Sequence, residues 1–534
     1  MRRHVKVLSY ALPFICMLVA YAASFYSGSL WDDNVFIFKA KAITETSHPF
    51  VFFDYTSSNH RAWPLGYVFF WLLYRVFAEN FIWYKLLNLL VHFLNFHLLR
   101  KFLFKFKIRN SFFISLLFLF HPLQVESVSW IFQLNTLLAT TFVLLSFNLI
   151  LQNKYKLSIL FFIFSLLTKS YAVFAPFVFL LLFIPKYPIK RSILKSIPFF
   201  AISLIVGLLT IRGVLTSEKE GQLRDKFHTE KAQKIIKEET IVVVPSPEPI
   251  DEVEVVLTDT PTVATEQEIP LEESSAITEP VPTETSPTPK AEKTIVVVRD
   301  KKVIDLAALA HSKLQLMANS FVFYLHSFFI GSDHFLFYPM INESSNQNIY
   351  NMFIFFIIAT TYVFFLFDPK YNKSKTFIIA TLLFCSWLPI SGIFYVPFMK
   401  FAHYSDHWAY LSTIPLSILL MSFIDAFISK FKLRAKMSSH MVGLIFVIPI
   451  SYNLIKTIQY SSIFNDHEVM LRRNIVHNPE NMFVRRYLAA KLHRNGETQY
   501  AIDELLKAQS IEPLNMEVKV QLDYYKEKLE KERE

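Results

Sequence analysis

Long apolar runs, separated by short basic segments, set the pattern of this chain. Runs at 5–25, 81–104, 111–120, 134–151, 157–167, 171–184, 193–209, 350–367, 376–394, 410–427 and 441–454 predict about eleven transmembrane helices. Basic residues gather between alternate runs: Lys101 to Arg109, Lys154 and Lys156, Lys186 to Arg191, Lys370 to Lys375, and Lys430 to Lys436. Such clusters mark loops held in the cytoplasm, as do Arg2, Arg3 and Lys6 before the first run. The loop 26–80 and everything beyond 454 then face the other side. Residues 63–77 are apolar but short and start next to Pro64, so they predict a helix lying on the membrane surface. A span at 312–330 would turn every later basic loop outward. The charge rule therefore predicts that this segment lies in the interface or re-enters the membrane.

Two stretches break the apolar pattern. Residues 216–311 interrupt the spans, and within them 245–289 holds nine Pro, eleven acids and no Lys or Arg, a composition predicting a disordered linker. The same pentapeptide, Thr-Ile-Val-Val-Val, occurs at 240–244 and 294–298, which could pair as two short strands. The second stretch, 459–534, is charged and helical in pattern. In it Leu488, Ala489, Gly496, Ala501, Leu505, Ala508 and Pro513 follow the spacing of a tetratricopeptide repeat, whose small residues let two antiparallel helices pack closely. Arg485 stands where an aromatic is usual, and 516–533 reads as a polar closing helix. The expected domains are thus 1–215, 216–311, 312–458 and 459–534.

Composition agrees with a polytopic membrane protein. Hydrophobic residues make up 53% and charged residues 18%, below the roughly 25% of soluble domains. The net charge of +10 sits in the interhelical clusters and is no nucleic-acid signal. Cys16 and Cys385 both fall in apolar runs, so no disulfide framework or Cys-based metal site is implied. Residues 1–25 have the form of a signal peptide but continue directly into a polar loop, and are read as an uncleaved first span.

Candidate chemistry begins with Trp31-Asp32-Asp33-Asn34, an acidic pair just beyond the first span. Either the acids cap a helix, or one of them serves as a general base. Together they could also hold a divalent cation with waters. Arg61, Lys169, His403 and His407 are candidate cations at the same face; Arg offers a bidentate fork to phosphate and Lys a point charge. Lys169 could equally snorkel from a hairpin tip. His121 and Glu126 either line an acceptor cleft, or cap a turn and face water. Asn88, His92 and Asn95, inside the second run, read as helix-to-helix hydrogen bonders.

Several pieces recur in an order that resembles the tetratricopeptide-repeat membrane O-mannosyltransferases and their bacterial relatives, within the polyprenyl-phosphate-sugar-dependent (GT-C) glycosyltransferases. They are Asp32-Asp33; Arg61-Ala62-Trp63-Pro64-Leu65; Tyr84 to Asn95; His121-Pro122-Leu123-Gln124-Val125-Glu126 on to Trp130; Leu167-Thr168-Lys169; Tyr404-Ser405-Asp406-His407 on to Ser412; and Asn478-Pro479-Glu480-Asn481. The likeness covers 5–211 and 312 to about 513. His407 stands where the family has Arg, Ser170 where an acid follows the Lys, and the Asn-Pro after the double Asp is absent.

The resemblance implies an all-α GT-C-like membrane fold. It implies transfer of a mannose-like hexose from a polyprenyl-phosphate donor to an extracytoplasmic acceptor, with Asp32 as base. Protein Ser/Thr hydroxyls would be presented by the repeat, and no cofactor is implied. A cell-envelope glycan or lipid as acceptor, or a non-catalytic scaffold whose repeat binds peptides, are the alternatives; a transporter would want polar residues near mid-membrane. Lys- and Phe-rich, Gly-poor usage leans toward a bacterial inner membrane, with the acidic loop and tail periplasmic.

Overall fold

The computed structural model describes residues 2–54, 63–213, 306–331, 333–340, 346–368, 374–394 and 396–534. Arg61, the two pentapeptides and nearly all of the acidic insertion lie outside the described residues. Among these residues the secondary structure is entirely helical, without a strand.

The longer helices are α1 (Arg2–Tyr21), α2 (Pro64–Phe77), α3 (Phe81–Lys105), α4 (Ser111–Leu119), α5 (Val125–Ser129), α6 (Leu134–Leu151), α7 (Tyr155–Thr168) and α8 (Pro176–Phe183). Next come α9 (Ile189–Gly213), α10 (Leu306–Phe329), α11 (Asn346–Phe367), α12 (Lys375–Trp387), α13 (Thr413–Lys430) and α14 (Ser439–Ile463). The tail adds α15 (His467–His477), α16 (Met482–Arg494), α17 (Thr498–Ile511) and α18 (Met516–Arg533). Local chemistry sets many of the starts. Pro64 and Pro176 occupy first turns, where a missing N–H costs nothing. Ser374, Ser438, Asp466, Asn481 and Asn515 each accept a backbone N–H as N-caps.

Among the described residues, six helical segments are long and apolar enough to cross a membrane: Ser9–Tyr26, Ile131–Leu151, Ile189–Gly213, Asn346–Phe367, Thr413–Lys430 and Met441–Ile463. A seventh arises if Ser111–Leu119 and Pro122–Ser129, bent by 56° at His121-Pro122, form one broken span. Pro64–Phe77, Tyr155–Thr168 and Lys375–Ile390 are apolar but shorter. Helix α3 has 25 residues, but buried Lys85, Asn88, His92 and Asn95 interrupt its apolar character. The eleven spans expected from hydropathy thus reach beyond the six or seven that length and composition support.

Helix α6 is the centre of the bundle, with 78% of its apolar window buried, whereas α11 at 6% is peripheral. Outward-facing Leu204, Leu208, Phe353, Phe364, Leu444 and Ile448 form an apolar exterior that water would penalise and lipid would not.

The helices end in two opposed sets. At one end, Asn110 and Arg109 meet Asp425 near the finish of α13, and Lys375 donates to the Lys107 carbonyl. Lys186 reaches the Ile150 carbonyl there too. Here the basic clusters gather. At the other end, Ser461 of α14 donates to the Ala20 carbonyl, Thr457 to that of Phe120, and Ser170 meets Thr210 of α9.

From Lys313 to Phe328, helix α10 meets the second end. Lys313 donates to Gly392 and Ser320 to Ile390, both just beyond α12; Tyr324 donates to Ser405 before α13, and Phe328 stacks on His121 after α4. The same helix also packs on α11, through Asn319 with Asn348 and Asn351 and through Phe321 with Phe355. The helix starts at Leu306, within the stretch assigned to the insertion.

The tail is a helical array. Leu488, Ala489 and Leu492 of α16 are buried with Ala501, Leu505 and Ala508 of α17, so small side chains let the pair pack closely. Gly496 turns between them at φ +87°, a conformation that favours glycine. Arg485, at the position lacking the aromatic, instead bonds Glu504 of α17 at 2.7 Å.

Candidate active site around the acidic pair

The loop after α1 folds back at once. Trp31–Asp33 form one helical turn, followed by a π-helical turn at Asn34–Phe38. Asp33 is buried: Oδ2 accepts the Leu30 N–H at 2.8 Å, and Oδ1 accepts the Phe132 N–H at 2.8 Å in the turn before α6. One carboxylate thus closes its own turn and ties it to the bundle's central helix. Burial pushes the Asp33 carboxyl up to about 7, opposed by the two N–H donors, raised further by Asp32 and lowered by Lys85. Lys85 itself donates to the Ser24 and Ser27 carbonyls at 2.7 and 2.6 Å, fixing the chain just before the acids. Asp32 is 9% exposed, the more accessible of the two.

The rest of the loop is strapped by α2. Arg75 donates to the carbonyls of Ile43, Thr44 and Thr46, and Trp71 donates to that of Thr46. Over the acids, the Trp31 ring is enclosed by Phe483 at 4.5 Å, Phe401 at 5.0 Å, Phe337 at 5.7 Å and Phe398 at 6.0 Å between centroids.

A second polar group lies behind this cage. Glu126, on α5, is fully buried and takes the Ser405 hydroxyl at 2.9 Å and the His407 N–H at 3.0 Å; His407 Nδ1 stands 2.7 Å from Oε1. Neighbouring Asp406 is equally buried, accepting from Tyr338 at 2.8 Å with His334 Nδ1 at 2.9 Å. Burial, then the nearby Lys169 ammonium, holds the His407 imidazole well below its usual value, so His407 is neutral at pH 7. The rings of Trp130 (5.4 Å) and Phe398 (5.9 Å) border His407, linking this group to the Trp31 cage. Lys169, at the turn after α7, is also buried, donating to Gln133 at 3.1 Å and Thr136 at 2.8 Å, with Tyr171 at 4.4 Å and Trp63 at 5.5 Å presenting their ring faces.

Of the residues singled out in sequence, Asp32, Asp33, Glu126, Lys169 and His407 therefore gather at one end of the bundle. His403 is half-buried in the turn before Ser405. His121 is buried; its Nδ1 accepts the Leu123 N–H and its ring stacks on Phe328 at 4.3 Å, so it serves as the cap of the turn before Pro122. His92 and Asn95 join helices through Tyr410, at 2.7 and 3.1 Å, and Asn88 bonds the Trp130 carbonyl at 2.9 Å. Sequence reading gave no role to Trp31, Lys85, Ser405 or Asp406, although each stands in a quoted motif, and it passed over His334 and Phe483, which carried no signal.

The donor set is poor for a resident cation. Both Asp33 oxygens are engaged by N–H groups, and among the described residues no three His, Cys, Asp or Glu side chains cluster as metal ligands. A shallow apolar hollow of about 500 Å³ lies elsewhere, on α11, lined by Phe353, Phe356, Ile357, Thr360, Thr361 and Phe364. Comparison with protein-family models, with curated proteins and with solved structures gives no match to this chain.

Proposed function

We propose that the chain is a multi-pass membrane glycosyltransferase that moves a mannose-like hexose from a polyprenyl-phosphate donor to an extracytoplasmic acceptor, with protein Ser/Thr hydroxyls as the favoured acceptors. The reading keeps the eleven-span GT-C-like topology and a C-terminal tetratricopeptide-type hairpin. It sets the acidic loop and the tail on the periplasmic side of a bacterial inner membrane.

The observation that carries it is the gathering of an acidic pair, a buried lysine and an imidazole at the end opposite the basic clusters. In the proposed reaction Asp32 takes the proton of the acceptor hydroxyl. That oxygen forms a bond to the sugar's anomeric carbon as the bond from that carbon to phosphate oxygen breaks. The polyprenyl phosphate leaves with the electron pair, and Lys169 and Arg61 offset its charge. Asp33 holds the turn and does not itself touch substrate. His407, neutral, would contribute a hydrogen bond in place of the charge of the family's Arg.

One observation favours a non-catalytic scaffold as the second reading: Lys169 and His407 already have partners within the protein. Glycan mass spectrometry on cells carrying wild-type or Asp32→Asn chain separates them. Loss of a hexose from Ser or Thr, with the variant inserted normally, supports protein glycosylation. A shift confined to envelope polysaccharide moves the acceptor to a glycan or lipid, and no change in either leaves the scaffold.

A further inference from the structure

The tail does not hang from the membrane helices; it is built into the acid-pair site. Phe483 lies in the first turn of α16, and its ring is 4.5 Å from Trp31, 4.1 Å from Phe401 and 5.3 Å from Phe337. These rings come from the first loop, the segment before α13, the loop after α10 and the tail: four segments meeting at one point. Polar contacts fix the join. The Phe337 N–H donates to Asn474 Oδ1 at 2.9 Å, Asn481 Nδ2 donates to the Phe401 carbonyl at 3.4 Å, and Arg473 pairs with Asp333 at 3.4 Å. His477 lies 4.4 Å from the Phe335 ring. One turn along α16 from Phe483, Tyr487 stacks on it at 5.9 Å and is close enough to feel the charge of both Asp33 and Asp32.

We infer that α16 is a wall of the acid-pair site, and that Phe483 and Tyr487 are positioning residues which orient Asp32 through Trp31 and border the approach of the acceptor hydroxyl. Three points carry this. Asp32 follows Trp31 directly in a single helical turn, so the packing that places Trp31 also places the backbone that carries the carboxylate. Asp33 ties the turn to the bundle through the Phe132 N–H, and Phe483 packs on Trp31 of the same turn, so the bundle and α16 hold the turn between them. Tyr487, half-buried, adds a hydroxyl one turn further along α16, near enough to sense both acids. The role of these residues in transfer rests on the proposed function; the wall itself does not.

The test uses the full-length chain in detergent or liposomes, with a water-soluble carbodiimide as the probe and peptide mass spectrometry to read labelling of Asp32. In Phe483→Ala the aromatic pairs are lost and local opening rises, so labelling of Asp32 quickens about tenfold or more. Phe483→Leu, which refills most of the volume, restores slow labelling, and Trp31→Leu repeats the test from the other side of the contact. Lys526→Ala, on the exposed face of α18, leaves the rate unchanged. Equal labelling of Asp32 in wild type, Phe483→Ala and Trp31→Leu, at matched helix content, overturns the wall whatever a transfer assay gives.

If labelling changes as expected while wild type transfers no sugar, the wall stands and the transferase reading falls. Where transfer is measured, Tyr487→Phe raises KM for the hydroxyl acceptor about tenfold with kcat nearly constant, the value of one hydrogen bond. An unchanged KM removes Tyr487 from positioning.

Discussion

Asp33→Asn isolates the electrostatic cost of the acidic pair. The Asp33 carboxyl is pushed up to about 7 in the folded chain, against about 3.9 when unfolded. Between those values the folded chain holds a proton that the unfolded chain has released, so stability falls as pH rises through that window and is level above it. Each pKa unit corresponds to about 1.4 kcal/mol, and between pH 5 and pH 8 the penalty grows by roughly 3 kcal/mol. Asparagine removes the titration but brings one acceptor to two N–H donors. Its own NH₂ must face either Leu30 or Phe132, and the orphaned N–H costs about 1–3 kcal/mol at every pH.

Wild type should therefore be the more stable at pH 5, and its advantage should shrink by roughly 3 kcal/mol, or reverse, by pH 8. Reversible SDS unfolding in mixed micelles, followed by tryptophan fluorescence, reads both proteins at each pH, and the difference cancels other titrating groups. A gap constant to within about 0.5 kcal/mol from pH 5 to pH 8 refutes the burial-raised carboxyl of Asp33.

Other perturbations test the neighbouring contacts. Glu126→Gln offers one acceptor oxygen where the Ser405 hydroxyl and the His407 N–H now use two, and should lower stability by about 1–3 kcal/mol in the same unfolding assay. Gly66→Ala places a methyl group onto the Asn135 side chain and 3.0 Å from the Thr168 carbonyl. Overpacking of this kind costs about 1–3 kcal/mol, and a variant as stable as wild type would refute the close approach of α2 to α6. On the proposed function, Lys169→Met lowers sugar transfer about 100-fold with insertion unchanged. Transfer within threefold of wild type would remove Lys169 from phosphate binding.

Much of the architecture was legible because its causes are local. Hydropathy marked where most helices run, Pro64 marked the start of the short apolar helix, and the small residues from Ala489 to Ala508 marked the tail hairpin; the run expected from Tyr171 becomes α-helical only at Pro176. The charge rule kept 312–330 out of the through-running set, and α10 is not among the helices long and apolar enough to cross. The number of crossings was less legible, since Tyr155–Thr168 and Lys375–Ile390 are short for a span and α3 is interrupted by buried polar residues. At the candidate site, sequence picked out acids and bases but not their roles: nothing in the dipeptide Asp32-Asp33 says which carboxyl is spent on backbone N–H groups.

By itself, then, the sequence determined a helical membrane chain, the order of its segments, and an acidic pair after the first of them, because apolar periodicity and charge clustering act over one helix at a time. Tertiary structure alone decided that Asp33 is the anchor and the more deeply buried of the two acids. It also set Glu126 against Ser405, 279 positions away, and brought Phe483 onto Trp31. Those pairings depend on which helix ends meet once the bundle forms. Burial then fixes the partners, because a buried carboxylate or N–H left without one would cost more than the fold has to spare.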